Sequence, residues 1–225
     1  MHDKADRLKS AKVPQQADIV DPSLAHRLPP GQTLTEKFPI LHEGPVPEYN
    51  LETWSLRVFG EVEEELTFSL ADLKAMPQTD TLSDIHCVTR WSKFDTRWEG
   101  VKFTDLMKVL KVKPEAKFVM IHADTDYETN LPLEDLLHED VLLAFHYNGQ
   151  PLTPKHGFPL RLVVPHLYFW KSAKWVRGIE FMKEDRKGFW ESNGFHNTAD
   201  PFKEQRFSSD EYEMPEGEWE YNEYD

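Results

Sequence analysis

The chain has 225 residues, 39% of them hydrophobic and seven of them tryptophan, enough for one sizeable core or at most two small ones. Its formal charge of -14 argues against a nucleic-acid backbone or an anionic membrane surface as the main partner. A single cysteine excludes an internal disulfide framework. The charged opening without an apolar run, and the lack of any stretch of roughly 18 apolar residues, lead us to expect a soluble, cytoplasmic protein without membrane insertion.

Residues 1 to about 36 are polar and proline-bearing without sustained periodicity, and they read as an extended N-terminal arm outside the core. "FPILHEGPVP", residues 38–47, is an apolar, proline-rich loop carrying His42 and Glu43. "TWSLRVFGEV" alternates Trp54, Leu56 and Val58 with polar neighbours, the pattern of a half-buried strand. "SLADLKAMP" offers Ser69 as an N-cap with Asp72 three residues on and stops at Pro77, which predicts a short helix. "FTDLMKVLKV" repeats that pattern, "AKFVMIHA" predicts a strand, "LPLEDLLHED" a short helix, and "VLLAFHY" a strand followed by an Asn148-Gly149 turn. "PLRLVVP" and "KWVRGIEFM" predict two further strands. From Phe202 to Asp225 nine acidic residues face two basic ones. That segment reads as an acidic C-terminal tail, the alternative being an arm that docks through Trp219, Tyr221 and Tyr224.

Short strands mixed with short helices, without regular βαβ alternation, predict an α+β domain with mixed or antiparallel sheets over residues 37–201, between the arm 1–36 and the tail 202–225. The sequence contains no glycine-rich phosphate loop, no CxxC pair and no repeat.

Two stretches carry chemistry. "SDIHCVTRWSKFDTRWEG", residues 83–100, holds the lone Cys87. Such a thiol is an inert core residue, a nucleophile or a metal ligand. His86, Arg90, Lys93 and Arg97 would surround it with positive charge and favour the thiolate. Without a second cysteine a structural zinc site does not fit. A soft thiolate does suit a metal whose other ligands come from an organic cofactor. In "PKHGFPLRLVVPHLYFWKSAKW", residues 154–175, His156, Arg161, Lys171 and Lys174 bracket an apolar strand. They suit an anionic ligand such as a phosphate, or are the solvated flanks of an ordinary strand. Trp91, Trp98, Tyr168 and Trp170 read as packing residues.

Together these stretches, "HCVTRWSKFDTRWEGV" and "HGFPLRLVVPHLYFWKSAKW" above all, resemble the sulfite oxidase family of molybdopterin-dependent oxidoreductases, in particular its small bacterial, haem-free members. The resemblance runs from about Lys37 to Asp200. It implies a sulfite-oxidase-type molybdopterin-binding fold and an enzyme performing two-electron oxo-transfer on a small molecule. It also implies molybdenum with molybdopterin as cofactor, no haem, and a separate electron-transfer protein as partner. By the same resemblance Cys87 is the catalytic residue and the metal's protein ligand. His156 and Arg161 would hold the pterin, while Ser172, Ala173 and Lys174 would cradle its phosphate. Leu41 and His42 would lie over the cofactor, and Ala123 would approach the pterin. Two departures bear on substrate. "ILHEG" lacks the arginine that sulfite-oxidising relatives carry in the first loop, and "EDRKGF" puts Arg186 where they have tyrosine. The substrate is therefore expected to be something other than sulfite, with Arg90 and Arg186 as candidate contacts. A non-catalytic molybdopterin-binding protein or partner subunit is the alternative function.

Overall fold

In the computed structural model, which describes residues 21–42 and 44–208, the first regular segment is a 3-10 turn over Pro22–Arg27. Asp21 starts it by accepting a hydrogen bond from the Ser23 backbone N–H. Glu43 and the tail beyond Ser208, with Trp219, Tyr221 and Tyr224, lie outside the described residues. β1 (Thr33–Leu34) pairs in parallel with Trp91 and Ser92. β2 (Ser55–Gly60) has the predicted alternation, with Leu56 and Val58 fully buried. β3 (Leu66–Ser69) runs into α1 (Leu70–Ala75) through a capping box, in which Ser69 and Asp72 each accept from the other's backbone N–H.

β4 (Thr79–His86) and β5 (Trp91–Lys102) form an antiparallel hairpin around the cysteine stretch. α2 (Phe103–Met107) begins at Lys102 without a side-chain cap, unlike the Ser69 pattern expected for it. β6 (Phe118–Ala123), β7 (Glu128–Pro132), α3 (Leu133–Leu136), β8 (Leu142–Tyr147) and β9 (Gln150–Pro151) follow. The β8–β9 hairpin turns at Asn148 and Gly149, whose φ values of 49° and 73° are those a two-residue hairpin loop requires. β10 (Arg161–Val163), β11 (Val176–Met182) and α4 (Phe189–Ser192) complete the regular elements.

One sheet has the order β1-β5-β8-β10, with β4 added on β5 and β9 on β8. The other runs β3-β2-β11-β6-β7, with β2 and β11 parallel and the remaining pairs antiparallel. These are the mixed sheets with short helices that the sequence predicts. Side chains alternate along a strand, and β8 and β10 are buried on both faces. Leu143, Phe145, Leu160 and Leu162 join a core with Leu56, Val58, Ile121 and Ile179 of the other sheet. Leu142, Ala144 and Val163 turn instead to a second core with Cys87, Trp91, Trp98 and Tyr168. Arg161, two residues before Val163, shares the parity of that second face.

Two expectations about the chain's ends are corrected. Residues 1–20 of the arm lie outside the described residues, but its described part, 21–36, does not stay outside the core, because Leu28 and Gln32 are buried and β1 extends the sheet. Likewise the segment from Phe202 to Ser208 folds back, with Arg206 and Phe207 buried and Phe207 bridged to Phe195. One apolar ring and one guanidinium whose N–H groups find carbonyls outweigh the polar composition around them. Among the described residues no helix is long and apolar enough to cross a membrane.

Candidate cofactor site

The thiol sits in the loop of the β4–β5 hairpin. The Cys87 N–H donates to the Trp91 carbonyl at 2.9 Å and the Arg90 N–H to the Cys87 carbonyl at 3.0 Å, closing the loop. Arg90 takes the left-handed conformation this needs, with φ 71°. From the N-terminal segment, Gln32 Nε2 donates to the Cys87 carbonyl at 2.9 Å. Cys87 Sγ is 3.1 Å from Thr89 Oγ1. From the C-terminal segment, Arg206 donates to the carbonyls of Val88 at 2.9 Å and Pro30 at 3.1 Å, and its guanidinium lies 4.8 Å over the Tyr168 ring. The buried Tyr168 hydroxyl and Arg90 Nε have no hydrogen-bond partner among the described residues.

The expectation that basic neighbours favour the thiolate is corrected. Burial pushes the Cys87 thiol up, and the bonds from Thr89 and the charge of Arg206 only partly offset it. Strand alternation accounts for the difference, since Arg97 faces outward to Asp80 and Lys93 Nζ donates to the Glu36 carbonyl. His86 is buried against Ser92 Oγ at 2.8 Å, and burial brings it down to about 4, so it is a neutral packed residue. A thiol held protonated by burial is a poor nucleophile, whereas a coordinating metal deprotonates it directly.

The cationic end is built around Gly157, which closes the 3-10 turn Pro154–His156 with φ 107°. A Cβ there would lie 3.1 Å from the Arg161 Cβ and equally close to the Lys174 Cβ and Cγ, so the glycine lets these two stems approach. Arg161 is 2% exposed and donates to the carbonyls of His156 and Ser172, both at 3.0 Å, while its Nε is unpartnered. Lys174 Nζ donates to the carbonyls of Leu41 at 2.7 Å and Lys155 at 3.1 Å. Ser172 Oγ accepts from the Val164 N–H, and the Ala173 carbonyl from the Leu162 N–H, both at 2.9 Å. Burial lowers Arg161 to about 9. Lys174 falls to about 7, through burial first and the Arg161 charge second. His156 falls to about 4 through burial and both cations. Among the described residues no carboxylate pairs with Arg161 or Lys174. Lys171, expected to join this group, is neutralised elsewhere, with Nζ 2.7 Å from Glu191 Oε1 and both side chains fully buried.

An aromatic floor joins the two ends. Phe38 packs 6.2 Å from Trp91, 6.0 Å from Trp98, 5.9 Å from Phe169 and 4.6 Å from His156, measured between ring centroids. Arg161 lies 4.5 Å over Phe169 and 5.1 Å over Trp98. The first loop thus contributes the Leu41 carbonyl to Lys174, while the His42 ring meets Trp175 edge-on at 5.7 Å. Ala123 ends β6 opposite Val176, two residues past Lys174. Arg186 stands apart from this cluster in an ion network, paired with Glu180 at 2.6 Å, which also bonds His122 at 2.9 Å. Hydrogen bonds thus join Arg161 to His156 and Ser172, and Lys174 to Leu41, with Ala173 between Ser172 and Lys174 in the chain. His42 and Ala123 lie beside Trp175 and Val176, Cys87 and Arg90 share the β4–β5 loop, and Arg186 is occupied by Glu180.

Sequence reasoning missed Gln32, Phe38, Thr89 and Arg206. Arg206 had a signal, as one of only two basic residues in an acidic segment and directly before Phe207.

The fold thus sets a lone buried thiol in one loop and, in another, two neighbouring cations without a carboxylate partner among the described residues. A family model described as the oxidoreductase molybdopterin binding domain matches residues 43–190, and the chain belongs to that family. It is 52% identical over 185 residues to the uncharacterized oxidoreductase YuiH of Bacillus subtilis, covering 82% of this chain and 93% of that protein. It is 31% identical to the protein-methionine-sulfoxide reductase catalytic subunit MsrP of Campylobacter jejuni, over 68% of this chain and 59% of that one. Among solved structures, the sulfane dehydrogenase SoxCD of Paracoccus pantotrophus superposes with a TM-score of 0.58 at 23% identity, covering 82% of this chain and 53% of that one. The protein is a molybdopterin-binding oxidoreductase of the sulfite oxidase type.

Proposed function

We propose that the chain binds molybdenum through Cys87, holds one molybdopterin along the aromatic floor, and carries out two-electron oxo-transfer on a small substrate other than sulfite. The observation that carries this reading is the buried Arg161 beside the half-buried Lys174, neither of which meets a carboxylate among the described residues. A buried guanidinium next to a second cation is costly unless an anion joins them, and a phosphate fits that deficit. The unpartnered Arg161 Nε offers it a further donor. A lone buried thiol fits a metal ligand better than a nucleophile.

The molybdenum cofactor, when bound, supplies the two-electron redox change that oxygen-atom transfer requires. The chain's own residues supply the rest. Cys87 gives one anionic, polarizable ligand, and the bond from Gln32 to its carbonyl fixes the loop that aims it. Arg161, Lys174 and the Ser172–Ala173 backbone seat the phosphate, and Phe38, Trp91 and Trp98 exclude water from the span between. Beside the thiol, the Tyr168 hydroxyl keeps its proton because burial drives it well above the ordinary phenol range, and Arg90 remains charged at neutral pH at about 10. Those two groups are donors for a substrate oxygen. Electrons pass to or from a separate protein.

A second reading, a cofactor-holding subunit without turnover, is favoured by the missing first-loop arginine and by the Arg186–Glu180 pair, which occupies the residue that replaces the tyrosine. The test is purification from a molybdopterin-competent host, followed by assay with S-oxide and N-oxide acceptors and a viologen donor. About one molybdenum per chain with turnover supports the enzyme. One molybdenum without turnover on any oxo-acceptor or reductant pair supports the subunit, and the absence of both metal and pterin overturns both readings.

A further inference from the structure

Away from the thiol region, α3 and the loop after β10 bring together Asp135, His138 and His166. One nitrogen from each imidazole and one carboxylate oxygen lie within 4.8 Å of one another. Asp135 lies in α3 and His138 two residues past its end, in the turn that follows. His166 comes from the loop between Val164 and Tyr168 and places Nε2 3.1 Å from Asp135 Oδ1. The rings of His138 and His166 are stacked at 4.1 Å with 16° between their planes. His166 Nδ1 is buried and has no hydrogen-bond partner among the described residues.

We propose that Asp135, His138 and His166 form a second metal site, for a divalent transition ion of the zinc class, separate from the thiolate site at Cys87. Two imidazole nitrogens and one carboxylate oxygen suit zinc, cobalt, nickel or copper, whereas magnesium and calcium prefer all-oxygen shells. With metal–ligand bonds of about 2.0–2.2 Å, tetrahedral coordination puts neighbouring ligand atoms roughly 3.3–3.5 Å apart. The Asp135–His166 separation of 3.1 Å is already close to that edge. Rotation of His138, which is exposed, brings in the third ligand without moving backbone. The three residues leave one position for water.

The site would tie α3 to the loop that continues into Tyr168 and Trp170, so an ion there stiffens the strand-to-loop segment leading to Ser172 and Lys174. The His166–Asp135 hydrogen bond and the stacking of His166 on His138 already link the two segments. An ion held by three ligands would join the two segments more firmly than a part-exposed ion pair does.

Titration of the full-length, molybdenum-loaded protein with zinc chloride by calorimetry tests the proposal. We expect one saturable site per chain, a rise in melting temperature on addition of zinc, and tetrahedral d–d bands when cobalt(II) replaces it. His138→Ala and Asp135→Asn should each weaken zinc binding at least tenfold while molybdenum content stays unchanged. His146→Ala, which removes a histidine outside the cluster, should bind zinc as the wild type does. Because His138 is exposed, its alanine variant keeps the fold, and its unshifted melting temperature without zinc verifies this. Absence of saturable zinc binding in the wild type overturns the proposal, as does binding that survives unchanged in both His138→Ala and Asp135→Asn.

Discussion

Replacing Gly157 by alanine perturbs the cationic seat at its tightest point. The residue sits at φ 107°, and the added Cβ would lie 3.1 Å from the Arg161 Cβ and from both the Cβ and Cγ of Lys174. The left-handed backbone costs an L-residue about 1–2 kcal/mol, and a forced methyl in a packed site costs about 1–3 kcal/mol more. Because the crowded atoms are stems rather than flexible tips, they cannot swing aside without moving both cationic groups. The combined loss of about 2–5 kcal/mol lowers the melting temperature by roughly 4–20 °C for a chain of this size. The assay is thermal unfolding of cofactor-free protein, followed by molybdenum and pterin analysis of protein made in a cofactor-competent host. The predicted result is a lower melting temperature together with reduced pterin content, since Arg161 and Lys174 are displaced together. A melting temperature within about 1 °C of wild type, with full pterin content, would refute the packing argument.

The pH dependence of cofactor affinity follows from Lys174. A bound phosphate favours the protonated amine, yet in the cofactor-free protein Lys174 loses its proton near 7. Affinity should therefore fall as pH rises above about 7, by up to about tenfold per unit, and Lys174→Met should flatten the profile; an equally steep profile in the variant contradicts the assignment. In cofactor-free protein the same depressed value makes the unfolded chain bind more protons between about 7 and the ordinary 10.5, so stability should rise with pH across that window. Arg206→Met removes donors from the Val88 and Pro30 carbonyls and should cost roughly 2–4 kcal/mol. It should also move the Cys87 thiolate absorbance midpoint upward in cofactor-free protein, since Arg206 now pulls that thiol down; a downward shift contradicts this. Ser69→Ala, which opens the capping box of α1, should cost about 1 kcal/mol in thermal stability with no change in molybdenum content.

Much of the site was legible because its parts are local in sequence. Cys87 stands alone, and His156, Gly157, Arg161 and the Ser172–Lys174 run fall within one strand and its two flanking loops, so spacing and residue type are enough to group them. α1 was equally legible, since the Ser69–Asp72 box and Pro77 state both of its ends. What sequence could not weigh was burial against charge. Arg97 and Lys93 look like neighbours of the thiol, but period-2 alternation and the sheet edge turn them to Asp80 and Glu36, and desolvation then decides the Cys87 proton. Gln32 and Arg206 were illegible for a different reason. Each reaches the Cys87 loop from a chain end 55 and 118 residues away, within segments whose polar composition reads as solvated. The β4–β5 hairpin was missed because charged residues of its exposed face interrupt the hydrophobic signal.

Molybdenum and pterin per chain, measured on protein from a cofactor-competent host for the wild type and for Cys87→Ser, test the central assignment most directly. The account predicts about one molybdenum and one pterin in the wild type. In Cys87→Ser it predicts loss of the metal, or of its thiolate spectroscopic signature, with the pterin still bound through Arg161 and Lys174. Equal molybdenum with an unchanged metal spectrum in the two proteins would contradict it.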